Sequence, residues 1–192
     1  LELTSAEFLD FDAAKVLAEA MVCTTRLKRL KLERRWDEYE PENKGFALVE
    51  AMKRNRSLEV LELDLSAFGN DDSVPELLRT LQNHPNLRSL TLKELDMSEQ
   101  ALEDLREWLS GEDCRLQDLE IHVLSFLPTF SRIISGKVFE SRMLKRLALT
   151  GTNLSSNDLE GLGLCTAFPN LSVLSLHHNK ICDLSPLEAV LC

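Results

Sequence analysis

His122, His177, His178 and five cysteines are the residues best suited to hold a metal or attack an electrophile. His122 and His177 sit at equivalent points of two segments with one more segment between them. If each segment is a strand, they lie roughly 10 Å apart. Zinc needs each ligand atom about 2 Å from the ion, so this pair does not share one directly. His177 and His178 are adjacent, and neighbouring side chains of a strand diverge. All three read as surface histidines. Ser135-Gly136-Lys137 lacks the rest of a phosphate-binding loop, and no G-x-S-x-G elbow occurs. The cysteines, Cys23, Cys114, Cys165, Cys182 and Cys192, are odd in number and unclustered. They predict reduced thiols in an intracellular, cytoplasmic protein, with Cys165 and Cys182 as core or turn thiols. The expectation is no catalysis, no cofactor and no metal.

Composition narrows the partner. The chain has 192 residues, 44% of them hydrophobic, enough for an ordered core. Its formal net charge of −10 argues against nucleic acid or an anionic membrane. No run of 18 apolar residues predicts a membrane span.

The elements that position these residues follow from the leucines. Leu171 to Ile181 reads L-x-x-L-x-L-x-x-N-x-I. Residues two apart share one face of a strand, so Leu174 and Leu176 point together into an interior. The pair recurs at Leu1/Leu3, Leu30/Leu32, Leu61/Leu63, Leu90/Leu92, Leu119/Ile121 and Leu147/Leu149. Successive pairs are 29, 31, 29, 29, 28 and 27 residues apart. A leading leucine recurs at Leu27, Leu58, Leu87, Leu116, Leu144 and Leu171. The asparagine position is unfaithful: Ala6, Arg35, Ser66, Leu95, Leu124 and Thr152 stand where the last unit has Asn179. Asn55, Asn153 and Asn170, each in an N-x-S/T triplet, read as repeat chemistry and not as glycosylation sites.

Between strands the apolar spacing turns helical. It predicts helices near 12–22 and 44–54, one opening at Ser73 with Leu77, Leu78 and Leu81 as its buried stripe, one from Ser98 to Gly111 with Leu102, Leu105 and Leu109, one from about 128, and a weaker one near Gly161 and Gly163. Ser73 with Glu76 and Ser185 with Glu188 form capping boxes, each with an early proline. Ser98 is an N-cap and Gly111 a stop.

Seven such units resemble the ribonuclease-inhibitor type of leucine-rich repeat. The resemblance covers the whole chain as one domain, 1–192. It implies an α/β solenoid, a curved right-handed superhelix of about seven repeats of 27–31 residues, with parallel strands concave and helices convex. Terminal units of a stack expose core, so the sequence predicts a fragment of a longer protein or covered ends. The motif is specific for architecture and nearly silent on function, and the expectation is a module that binds another protein. Partner identity and oligomeric state stay open.

Two surfaces are candidates for that binding. One is the strand face, with Lys31, Glu33, Glu62, Asp64, Lys93, Glu120, His122, His177 and His178. There Lys28–Glu59–Arg88 and Glu2–Lys31–Glu62 are expected to alternate in sign across neighbouring strands. The later half, with Ala148, Gly151, Ser172, Val173, Ser175, His177 and His178, reads as small and neutral. The other surface is an acidic loop with Arg34, Trp36 and Tyr39, an aromatic pair suited to a contact hot spot. Three other readings stay open. The GTPase-activating protein of Ran uses the same repeat type and presents an early arginine, comparable in place to Arg34 and Arg35. Tropomodulin's actin-capping region and the sensor regions of immune receptors or bacterial effectors are similar stacks.

Overall fold

The computed structural model describes residues 2–7, 11–33, 44–65, 73–93, 99–123, 141–161 and 168–187. These form an α/β fold around a seven-stranded sheet in which every neighbouring pair is parallel. The strands are β1 (Glu2–Glu7), β2 (Arg29–Glu33), β3 (Val60–Asp64), β4 (Ser89–Lys93), β5 (Asp118–His122), β6 (Arg146–Thr150) and β7 (Val173–Ser175). Sheet order follows chain order. The helices are α1 (Phe11–Cys23), α2 (Lys44–Arg54), α3 (Ser73–Gln82), α4 (Glu99–Ser110) and α5 (Ser156–Gly161).

Register follows the leucines. Leu30 pairs with Leu61, Leu61 with Leu90, Leu90 with Leu119, Leu119 with Leu147 and Leu147 with Leu174. From Leu30 to Leu147 these side chains are fully buried. A slip by one residue would turn the whole set outward, so burial fixes the pairing. The first strand departs from expectation. Leu3 pairs with Leu30 rather than Leu32, Glu2 with Arg29 rather than Lys31, and a bulge separates Leu3 from Ala6. β1 reads Glu-Leu-Thr-Ser-Ala-Glu, with one large apolar residue to set its register.

Helical stripes close the other side of the core. α2 buries Leu48, Val49, Ala51 and Met52; α3 buries Val74, Leu77, Leu78 and Leu81; α4 buries Ala101, Leu102, Leu105, Trp108 and Leu109. Each set repeats at three or four residues, the spacing of one helix face. Consecutive helices α1 to α4 pack against one another. Lys53 joins α2 to Glu76 of α3 at 2.9 Å, and Arg79 joins α3 to Asp104 of α4 at 3.4 Å.

Turns into the strands carry a second ladder. Asn55, only 1% exposed, donates from Nδ2 to the Met21 carbonyl at 2.6 Å. Its Oδ1 accepts the Ser57 and Leu58 N–H groups at 2.9 and 3.0 Å. His84 and Ser141 hold the matching positions in later units and accept from the backbone two residues on. Asn86 and Asn170 donate to the Arg56 and Arg142 carbonyls of the preceding units. Asn55 is thus consumed by the fold, and the Asn170 amide nitrogen is engaged.

The last described unit corrects one cap. Ser185–Leu187 is a short 3-10 turn, and Asp183 caps it, not Ser185. Asp183 Oδ1 accepts the Ser185 N–H at 2.8 Å and Oδ2 accepts its hydroxyl at 2.7 Å. These bonds hold the Asp183 carboxyl below its ordinary range. The helix expected from about Pro128, the Ser98 cap, Gly163, Glu188, Cys165 and Cys192 lie outside the described residues.

Candidate functional site: the strand face

Opposite the buried leucines, the sheet presents charge in stripes. Counting the residue after each leading leucine, β2 carries Lys28, Arg29 and Lys31; β3 carries Glu59, Glu62 and Asp64. β4 carries Arg88 and Lys93, β5 Asp118 and Glu120, β6 Lys145 and Arg146. Apart from Glu33 at the end of β2, each strand from β2 to β6 has one sign and its neighbour in that set the other. Parallel strands lie about 4.8 Å apart, so every stripe meets its counter-charge.

The pairs are formed. Glu62 Oε1 accepts from Lys31 at 3.2 Å and from Lys93 at 2.5 Å, linking three strands through one oxygen. Asp64, nearly buried, pairs in register with Lys93. Lys28 meets Glu59 at 2.7 Å. That hydrogen bond, with the charges of Lys28 and Arg88, holds the Glu59 carboxyl below the usual range. His122 Nε2 donates to Glu120 Oε1 at 2.6 Å, while Arg146 approaches Glu120 Oε2 at 3.7 Å. Lys31, Glu62 and Lys93 therefore form one group, and Glu120 with His122 another.

The remaining sequence candidates are placed apart. His122 pairs in register with Thr150, leaving His177 one strand further on. His177 and His178 are exposed in the turn after β7, and His178 has a left-handed backbone, φ 56°. Glu33 ends β2 opposite Glu7 of β1, not Thr4. Arg34, Arg35, Trp36 and Tyr39 lie outside the described residues.

The half expected to be small and neutral is so only in part: Ser172, Val173 and Ser175 carry no charge. Ala148 is buried, with 2% exposure, and offers no surface. Lys145 and Arg146 are exposed in the same half. With Asp118, Glu120, Ser89 and Thr91, Arg146 lines a shallow depression of 220 Å³. Asp118 and Arg146 were missed because L-x-x-L has two positions between its leucines. The second, just before the paired leucine, also faces outward.

Reactive groups do not converge here. Among the described residues, no three His, Cys, Asp or Glu side chains are placed to hold a metal. Cys23 and Cys182 are exposed free thiols, and Cys182 sits in a turn, with Sγ donating to the Lys180 carbonyl at 3.7 Å. Cys114 is buried, and burial pushes its thiol pKa up, away from the reactive thiolate. No helix among the described residues is long and apolar enough to cross a membrane.

A scan against protein-family models gives no match to this chain, and neither does a comparison with curated proteins.

Proposed function

We propose that the chain is a leucine-rich-repeat solenoid of the ribonuclease-inhibitor type that binds a partner protein through its strand face, with no catalysis of its own. The repeat reading is supported by the leucine register across six of the seven strands. The partner reading rests on one observation: a sheet face whose charges lie in stripes of single sign, with Lys28 and Glu59 exposed and Lys31, Glu62 and Lys93 part-exposed. Exposed ion pairs are worth about 0–1 kcal/mol each, so they exchange for intermolecular pairs at little cost. A striped face also rejects a partner out of register, because a shift by one strand sets like charges opposite.

The test is capture of the partner on the immobilised chain, followed by Lys31→Glu and Glu62→Lys. Both variants should keep the melting temperature within a few degrees and lose the partner. Undiminished capture by both would remove the strand face from the reading.

A further inference from the structure

The basic stripe on β6 differs from the other two. β4 lies between two acidic strands, and the lysines of β2 meet Glu59 and Glu62. β6 has an acidic neighbour on one side only, since β7 carries no charge on this face. Arg146 reaches Glu120 only at 3.7 Å. Lys145 is bracketed by Gln117 and Ser172, its backbone bonded to both. Among the described residues, neither Lys145 nor the exposed Arg142 makes an ion pair.

Apolar surface adjoins this positive charge. Met143 is 41% exposed and Val173 46%, two of the five large apolar side chains exposed among the described residues. Val173 is the register partner of Arg146. Ser172 and Ser175 beside it are small, so a chain can approach the sheet closely. Lys145 and Arg146 flank the exposed Val173, Arg142 and Met143 lie just ahead of Leu144 in the same unit, and Asp118 and Glu120 face Arg146 from β5. Cations beside an exposed apolar side chain have a definite complement: carboxylates around an apolar side chain.

We propose that the start of β6, with Val173 of β7, docks a short acidic segment of the partner protein that carries one apolar anchor. The proposal rests on the strand face being the partner surface and names the chemistry of what binds there. A net charge of −10 repels anionic polymers at long range, yet charges more than about 8 Å away are screened at physiological salt. A patch of three cations therefore acts at contact. It suits a short segment better than a nucleic acid or a membrane, which need a longer basic track.

The experiment titrates the whole chain against a labelled peptide of glutamate and serine with one central leucine. A lysine-for-glutamate counterpart, oligo(dT) and phosphatidylserine vesicles are run separately. The glutamate peptide should bind and weaken with salt. Lys145→Glu with Arg146→Glu should lower its affinity about tenfold or more, and Val173→Ser should lower it too, whereas Arg54→Glu, at an exposed position ending α2, should not. If the reversed pair does not fold, Lys145→Gln with Arg146→Gln carries the same test with a smaller loss. No binding of the glutamate peptide, equal loss in Arg54→Glu, or oligo(dT) or vesicles binding as well at these residues would overturn the proposal. Should the peptide fail while Lys31→Glu still abolishes partner capture, this proposal falls and the strand-face reading stands.

Discussion

Asn179 Nδ2 donates to the Leu149 carbonyl at 2.7 Å, tying the turn after β7 to the end of β6. The same amide reaches the Leu176 and His177 carbonyls at 3.0 and 3.2 Å. Its oxygen accepts the Leu154 N–H and the Thr152 hydroxyl at 3.1 and 3.0 Å. One partly buried side chain thus satisfies backbone groups of two units. Asn179→Ala should cost about 2 kcal/mol. For a chain of this size that is about 4–8 °C in the melting transition, readable by circular dichroism. An unchanged melt would mean that water replaces the amide.

Asn55 does the corresponding work at the other edge of the strands and is buried there. Water cannot substitute easily at 1% exposure, so Asn55→Ala should cost more than Asn179→Ala, about 3 kcal/mol. Asn55→Asp keeps the acceptor for the Ser57 and Leu58 N–H groups and loses the donor to Met21. It should fall between wild type and Asn55→Ala at pH 7 if the acceptor bonds dominate. Urea midpoints of the three proteins give the order.

These two asparagines mark what was legible in the sequence. The leucine columns declare themselves because burial admits few residue types and the strand period is two. The turn column does not, because Asn55, His84 and Ser141 do one job with three chemistries. What they share is an acceptor aimed at the backbone two residues ahead, which no residue-type pattern captures. β1 was misregistered for the opposite reason, its Leu3 being compatible with either partner until the bulge is seen. On the strand face, Lys31 and Glu62 share a column and pair in register, whereas Lys93 is the register partner of Asp64 and reaches Glu62 from the next column. Asp118 and Arg146 occupy the position just before the paired leucine, where Val60, Ser89 and Val173 stand in other units, so no charge pattern marks it.

Gly151 follows β6 with φ +68°, a conformation that side chains rarely adopt. A Cβ there would land on the Val123 carbonyl oxygen. The Gly151 N–H donates to the His177 carbonyl at 3.0 Å, so the backbone cannot swing away freely. Gly151→Ala should therefore combine backbone strain with a clash and cost about 2–4 kcal/mol. Equilibrium unfolding in urea measures it. A cost below about 0.5 kcal/mol would mean that the turn relaxes without losing the His177 bond.

His84 makes the pH dependence predictable. Its Nδ1 accepts the Asn86 N–H at 3.4 Å, and the ring is 6% exposed. Burial, then the nearby Arg56 charge, lowers its pKa from 6.5 to about 4. The folded chain thus binds this proton more weakly than the unfolded chain. Stability is full above the unfolded pKa, falls as pH drops from about 6.5 towards 4, and levels off below. Between pH 7 and pH 5 the loss from this group is about 2 kcal/mol. His84→Asn installs the residue that Asn55 uses in the equivalent turn, with an acceptor and no titration. The variant should fold and lose about 2 kcal/mol less than wild type over that interval, as read from urea midpoints at the two pH values. Equal losses in both proteins would place the proton elsewhere. A variant that fails to fold at pH 7 would mean that the ring's bulk, not its acceptor nitrogen, supports this turn.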